Sequence, residues 1–236
     1  MKEKIIGILG GMGPEATGEL FMNIIRATPS EKDQDHIRVI IDSNSKIPDR
    51  TPAIIGKGPS PLPEMVRTAE NLEKAGVDFI IIPCNTAHYF YDELSKSVRV
   101  PILNMIELAA EVIRGKYPEV KKVGLIATTG TVESGIYHHA LKKHRVEVSS
   151  PSERLQDKVM EAIYGIKAGR LAEGRKSINN IASQLVAEGA EAVICGCTEV
   201  SLVLKEGDIP VPVVDPLQIL AKTAVAIALG RREQKS

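Results

Sequence analysis

The segment EKAGVDFIIIPCN, residues 73–85, combines the end of a helix, a glycine turn and an apolar run that stops at a cysteine. A second segment, VAEGAEAVICGCT at 186–198, aligns with it without gaps. The alignment pairs Cys84 with Cys197, each at the end of a strand-like run. One strand pattern therefore occurs twice, and it indicates a chain built from two similar halves.

The repeat extends beyond these two segments. KIIGILGGMG at 4–13 resembles KKVGLIATTG at 121–130, and PILNMIE at 101–107 resembles PVVDPLQ at 212–218. The three matches occur in the same order along the chain, and their offsets in the numbering are nearly constant. We interpret the chain as a duplicated α/β domain whose halves are related by pseudo-twofold symmetry.

Strand-like apolar runs alternate with helix-length segments along nearly the whole chain. The predicted strands are residues 4–10, 37–43, 78–84, 101–104, 121–127, 145–149, 191–197 and 211–215. The predicted helices are residues 14–27, 62–76, 105–116, 154–168 and 174–189. This alternation predicts two parallel-sheet α/β domains, with helices on both faces of each sheet and right-handed crossovers.

Composition narrows the possible partners. Of 236 residues, 43% are apolar, and 30 basic residues balance 30 acidic ones. Without a net positive field we expect no nucleic-acid partner and no binding to an anionic membrane. No apolar run approaches the roughly 18 residues of a membrane span. Three cysteines do not suggest a secreted disulfide framework, so we expect a cytoplasmic protein with reduced thiols.

The repeat gives the paired cysteines a geometric meaning. Ligands of open α/β sheets bind beyond the carboxyl ends of the strands, and Cys84 and Cys197 lie at such ends of equivalent strands. If the halves face each other, the two thiols flank one cleft. The third thiol, Cys195, aligns with the core residue Ile82 and is interpreted as a buried apolar residue.

Two opposed thiols suit the racemisation of an α-amino acid. One group removes the Cα proton from one face, the other returns a proton to the opposite face, and the roles reverse for the other enantiomer. Cysteine suits both roles because its ordinary pKa, about 8.5, lies near working pH. Helix N-termini after each cysteine are expected to stabilise the thiolate.

Polar residues cluster after equivalent strands. Their backbone N–H groups and side-chain oxygens can bind a substrate carboxylate and the charge that develops beside Cα. The candidate substrate-binding residues in these loops are Asn85, Thr86, Thr128, Thr129, Thr131, Thr198 and Glu199.

Two other motifs indicate different functions. Gly11-x-Gly13-x-x-Ala16 fits a dinucleotide fingerprint, but Asp42 lies further along the chain than the usual spacing of about 20 residues. The fingerprint also leaves the paired thiols unexplained. Cys-x-Cys at 195–197 lacks a second cysteine pair and histidines at ligand spacing, so no metal is expected.

A cysteine–histidine nucleophile is a further alternative. His88 follows Cys84 by four residues, and the two side chains can form such a pair. That pairing leaves Cys197 without a role, whereas two symmetry-related thiols indicate symmetric chemistry.

Five motifs together resemble the aspartate/glutamate racemase family, and most closely its cofactor-independent, archaeal-type aspartate racemases. The motifs are GILGGMGPEAT (7–17), IPDRT (47–51), PCNTAH (83–88), ATTGT (127–131) and GCTEV (196–200). The similarity extends from about residue 4 to residue 230.

The resemblance implies an aspartate racemase that needs no pyridoxal phosphate or other cofactor. Its two catalytic bases fall on Cys84 and Cys197. It places Arg50 and Lys167 on the side-chain carboxylate of the substrate, where a guanidinium can form two parallel hydrogen bonds and an ammonium adds charge. Met12, in the glycine loop, is included among the substrate contacts. The expected assembly is a homodimer.

The resemblance also implies a domain division, because the family's last helix returns to the first domain. The apolar segment 216–230 suits that position. We expect a first domain of residues 1–103 with 215–236 and a second of residues 104–214, with the active site in the cleft between them.

Several functions remain compatible with this fold. Glutamate or broad-specificity racemisation changes only the substrate, whereas maleate isomerase and hydantoin racemase apply paired thiols to other reactions. Arg50 and Lys167 favour a dicarboxylate and disfavour hydantoins. A non-enzymatic two-domain protein that binds a small molecule also fits duplicated halves, although it has no need of matched thiols.

Overall fold

The computed structural model describes residues 3–231 and has the α/β architecture that the sequence predicts. The strands are β1 (Ile6–Gly10), β2 (Val39–Ser43), β3 (Phe79–Ile81), β4 (Lys122–Ala127), β5 (Glu147–Ser149), β6 (Ala192–Gly196) and β7 (Val213–Val214). The helices are α1 (Pro14–Ala27), α2 (Arg50–Ile54), α3 (Leu62–Lys74), α4 (Tyr91–Ser95), α5 (Met105–Lys116), α6 (Thr129–Ser134), α7 (Ile136–Lys142), α8 (Glu153–Lys167), α9 (Leu171–Ala187), α10 (Thr198–Val203) and α11 (Pro216–Ala228). Short 3₁₀ helices cover Asp33–Asp35 and Thr86–Phe90.

The chain divides into two compact units. Within the described residues, the first unit comprises 3–105 and 217–231, and the second comprises 106–216. The chain therefore passes from the first unit to the second at the start of α5, and it returns at the start of α11.

The first unit contains a three-stranded parallel sheet in the order β2-β1-β3. The strand predicted over residues 101–104 is reduced to one bridge between Ile80 and Ile102. Two backbone hydrogen bonds, each 2.9 Å long, join Ile80 to Pro101 and Leu103. Only this short stretch pairs because α5 begins two residues after Leu103.

The second unit contains a four-stranded parallel sheet in the order β5-β4-β6-β7. Its central strand β4 pairs with β5 and β6 as β1 pairs with β2 and β3. Equivalent side chains in the two units also form equivalent hydrogen bonds. The Asp78 carboxylate accepts from the Ile5 N–H at 2.6 Å. Its equivalent in the second unit, the Glu191 carboxylate, accepts from the N–H of Lys122, which aligns with Ile5, at 3.1 Å, and from that of Lys121 at 2.5 Å. The prediction of two parallel-sheet halves is confirmed.

Each unit has its own apolar core. In the first unit α3 packs its buried face against β1 and β3, with Met65 and Ile80 fully buried. In the second, α8 and α9 pack on β6, and Cys195 is fully buried among them, as its alignment with a core residue predicts. Within residues 3–231, no helix combines the length and the apolar character needed to cross a membrane.

Candidate active site

The two paired thiols occupy equivalent places in the two units. Cys84 follows β3 and precedes the 3₁₀ helix Thr86–Phe90, while Cys197 follows β6 and precedes α10. Both are free thiols, and their exposed fractions are 6% and 7%. Each therefore lies at the carboxyl end of a parallel strand, where ligands of α/β sheets bind.

Cys197 lies at the start of a chain of polar groups. Its thiol donates to the Glu199 carboxylate, with 2.9 Å between Sγ and Oε2. The Thr198 hydroxyl donates to the same oxygen at 3.3 Å. Lys167 Nζ, on α8, lies 3.9 Å from the other oxygen, Oε1. The Glu199 carboxylate is itself buried, whereas the Lys167 side chain is 37% exposed, so the carboxylate lies between a buried thiol and a more accessible ammonium group.

This environment raises the pKa of Cys197 well above its ordinary value. Burial is the largest cause, followed by the charge of Glu199 and the hydrogen bond to it. Lys167 and the backbone N–H of Glu199 act in the opposite direction. The backbone N–H at the start of α10 thus acts on the Cys197 thiolate in the expected stabilising direction, but burial and the adjacent carboxylate outweigh it.

Cys84 has a different neighbour. His88 Nδ1 lies 2.8 Å from the Cys84 carbonyl oxygen, so the imidazole contacts the backbone of Cys84. Burial lowers the pKa of His88 to about 4, and the ring is neutral at neutral pH. Asn85 and Thr86, which follow the thiol, are also buried. The structure thus uses His88 to hold the loop in place.

Arg50 is a buried cation at the start of α2. Its guanidinium donates to the carbonyls of Pro48 at 3.0 Å and Met12 at 3.1 Å, which ties α2 to the glycine loop. The Nε atom has no hydrogen-bond partner, and within residues 3–231 no carboxylate forms a salt bridge with Arg50. A guanidinium buried without a counter-ion is costly, so an anionic ligand would be stabilising here.

The threonine loop after β4 is held by contacts within its own unit. Thr128 caps α6 by accepting from the Thr131 N–H at 3.2 Å, and Thr131 is fully buried. Thr129 accepts from Gln156 Nε2 at 3.3 Å. Gln156, on α8, also donates to Ala127 O at 3.0 Å, while its Oε1 has no hydrogen-bond partner.

The structure therefore assembles the candidate residues in two groups. In the first unit, Met12 is hydrogen-bonded to Arg50. In the second unit, Lys167, Glu199 and Cys197 form one continuous chain. Lys167 also lies 5.8 Å from the centre of the Tyr164 ring.

A model of the Asp/Glu/hydantoin racemase family matches residues 9–224. The chain belongs to this family. The resemblance seen in the five motifs is thereby confirmed, and membership supports the coarse function of an amino-acid racemase, an isomerase.

Individual relatives in the racemase family are similar over nearly the full chain. Picrophilus torridus aspartate racemase has a TM-score of 0.86 and 33% identity, covering 98% of this chain and 96% of its own. An aspartate racemase homologue from Pyrococcus horikoshii OT3 has a TM-score of 0.79 and 28% identity, covering 96% and 99%. The broad specificity amino-acid racemase RacX of Bacillus subtilis strain 168 is 30% identical, covering 96% and 99%.

The sequence did not identify Ser201 and Asp215, two hydrogen-bonded polar residues of the same unit as Cys197. Ser201 donates to the Asp215 carboxylate at 2.8 Å. Burial, then Cys195 and then Asp215 raise the pKa of the buried Tyr137. One signal was present, since Ser201 follows Cys197 by four residues as His88 follows Cys84. That signal is weak because serine is common in loops and helix starts of every kind.

Replacing Glu199 by glutamine tests whether its charge raises the pKa of Cys197. Glu199→Gln removes the charge that raises the pKa of Cys197, so the pKa falls and the thiolate fraction at a fixed pH rises. We expect iodoacetamide to alkylate Cys197 several-fold faster near pH 8, measured by peptide mass spectrometry.

The matched control is Glu173→Gln, which changes an exposed carboxylate on α9 of the same unit. It should leave the alkylation profile of Cys197 unchanged. An unchanged or slower reaction in Glu199→Gln would contradict this view of the Cys197 environment.

Proposed function

We propose that the protein is a cofactor-independent racemase that interconverts L- and D-aspartate, with Cys84 and Cys197 as its two bases. The observation that carries the proposal is the pair of buried thiols at equivalent strand ends of a duplicated fold. Membership of the racemase family supports the reaction class.

The reaction moves one proton off Cα and another onto it. In one direction, Cys84 as a thiolate takes the Cα proton, and Cys197 as a thiol donates its proton to the opposite face. The substrate charge is unchanged, and the two thiols exchange protonation states. With Cys84 now a thiol and Cys197 a thiolate, the enzyme is ready to convert the opposite enantiomer. The hydrogen bond from Cys197 to Glu199 favours the protonated form of Cys197 that this direction requires.

Arg50 supports a substrate with a second carboxylate. Its buried guanidinium has no carboxylate partner among the described residues, and a substrate carboxylate would supply one. Lys167 adds positive charge, partly offset by Glu199. We assign the α-carboxylate and the charge beside Cα to the polar loop groups. These are Asn85, Thr86, Thr128, Thr129, Thr131, Thr198 and, through its backbone N–H, Glu199, with Met12 lining the site.

A broader substrate range is the second candidate. RacX, described as a broad specificity amino-acid racemase, is similar over almost the whole chain, whereas the Picrophilus torridus structure is described as an aspartate racemase. Maleate isomerisation also fits a dicarboxylate site with two thiols.

We further propose that the protein is a cytoplasmic homodimer. Its first domain would consist of residues 1–103 together with 215–236, and its second of residues 104–214.

Single alanine variants test the paired thiols. Cys84→Ala and Cys197→Ala should each abolish aspartate racemisation, because either change removes one of the two proton carriers. Racemisation is measured by chiral chromatography, and folding by the thermal unfolding midpoint. Cys195→Ala, the control, removes the buried third thiol and should retain racemisation. A fully active Cys84 or Cys197 variant would eliminate the two-base mechanism.

The substrate class is tested at Arg50. Arg50→Gln removes the buried positive charge, and loss of a charged hydrogen bond of about 1.5–3 kcal/mol should raise KM for aspartate roughly ten- to hundredfold. Turnover of a neutral amino acid, if it occurs, should change little. Arg26→Gln, at an exposed position on α1, is the control. Unaltered aspartate kinetics in Arg50→Gln would contradict a dicarboxylate site at this residue.

A further inference from the structure

The fourth residue after each thiol has the same place in the repeat. His88 follows Cys84 by four, and Ser201 follows Cys197 by four, so the two correspond when the alignment that pairs the thiols is continued by three residues at the same offset. Both are buried, with exposed fractions of 4% and 3%. Their chemistry differs, but their contacts correspond.

His88 joins the thiol loop to the start of α5. The Met105 N–H donates to Nε2 at 3.1 Å, so Nδ1 carries the ring proton and donates to the Cys84 carbonyl at 2.8 Å. Tyr91 adds to the same connection, because its ring is stacked 6.3 Å from that of His88 and its hydroxyl donates to Ile102 O at 2.9 Å. We call this set the His88 link.

Ser201 joins the second thiol loop to the segment before α11. Its backbone N–H donates to the Cys197 carbonyl at 3.3 Å. Its hydroxyl donates to the Asp215 carboxylate at 2.8 Å, and Asp215 immediately precedes the first residue of α11, Pro216. We call this set the Ser201 link.

Both links end where the chain passes between the units. The first crossing follows Met105, and the second follows Pro216. The two crossings are also equivalent in the repeat, since they lie in the matching segments PILNMIE and PVVDPLQ. His88 contacts the Cys84 carbonyl through its ring, whereas Ser201 contacts the Cys197 carbonyl through its backbone N–H and Asp215 through its hydroxyl. In each half, one buried residue therefore connects the thiol loop to the start of the crossing helix.

We propose that His88 and Ser201 are positioning residues, each of which sets the place of one thiol by fixing its loop to the start of a crossing helix. This inference rests on the proposed role of the two thiols. It follows that each link controls its own thiol, and that His88 acts on Cys84 while Ser201, with Asp215, acts on Cys197.

Because the two links share no residue, each can be changed without changing the other. A link that only satisfied buried polar groups would affect stability without distinguishing the thiols. A positioning link changes the reactivity of one thiol and leaves the other unaltered. Proton transfer is sensitive to such shifts, since a misplacement of about 1 Å can cost roughly a hundredfold in rate.

The experiment measures iodoacetamide alkylation of each thiol by peptide mass spectrometry in the full-length protein. His88→Ala should change the rate at Cys84 several-fold and leave Cys197 unchanged, and Ser201→Ala should do the reverse. His88→Gln, whose amide can replace one of the ring contacts, and Ser201→Thr, which keeps the hydroxyl, should recover rates near wild type. These two variants also serve if an alanine variant fails to fold.

Kinetics supply the second measurement. Each alanine variant should lower kcat for aspartate by roughly ten- to hundredfold while KM changes little. His139→Ala and Ser183→Ala, at exposed positions of the second unit, are the matched controls and should behave as wild type.

Equal changes at both thiols, or none at either, would overturn the proposal. Alkylation needs no turnover, so its outcome stands apart from the proposed function. An inactive wild-type protein would refute the racemase while the thiol-specific pattern still tested the links.

Discussion

The position of each candidate base depends on the parallel pairing of the preceding strand, β3 or β6, with the neighbouring strand β1 or β4. In the first unit Ile8 of β1 is paired with Ile81, three residues before Cys84. In the second, Ala127 of β4 is paired with Gly196, one residue before Cys197. Because the strands are parallel, both thiols emerge at the carboxyl edge of their sheet. The glycine loop, the threonine loop and both links lie at these same edges, so their roles depend on this pairing.

The duplicated backbone carries two chemically different surroundings. Burial raises the pKa of the Cys197 thiol, and the buried Glu199 carboxylate that the thiol faces raises it further. The Cys84 residue is instead held through its carbonyl by a neutral imidazole. A reaction with two mirror-related substrates needs two bases in opposite protonation states, and unequal surroundings are a physical means of setting them.

Local sequence predicted the sheets well because buried strands are continuous apolar runs, and the internal repeat identified the two thiols as a pair. The hydrogen-bonded neighbours were harder to predict. Lys167 contacts Glu199 from α8, two helices earlier in the chain. Met105, whose N–H donates to His88, lies at the start of α5, beyond the last bridge of the first sheet at Ile102. Such contacts depend on helix packing, which periodicity does not encode. The raised pKa of Cys197 likewise depends on burial that its neighbours in sequence do not reveal.

The most direct measurement follows enantiopure L-aspartate in D₂O, with reductant present and no pyridoxal phosphate added. The Cα proton is monitored by NMR, and handedness by chiral chromatography. Transfer between two thiols predicts that D-aspartate appears with deuterium at Cα. Formation of D-aspartate that retains its original proton, or no exchange with either aspartate or glutamate, would contradict proton transfer between the two thiols.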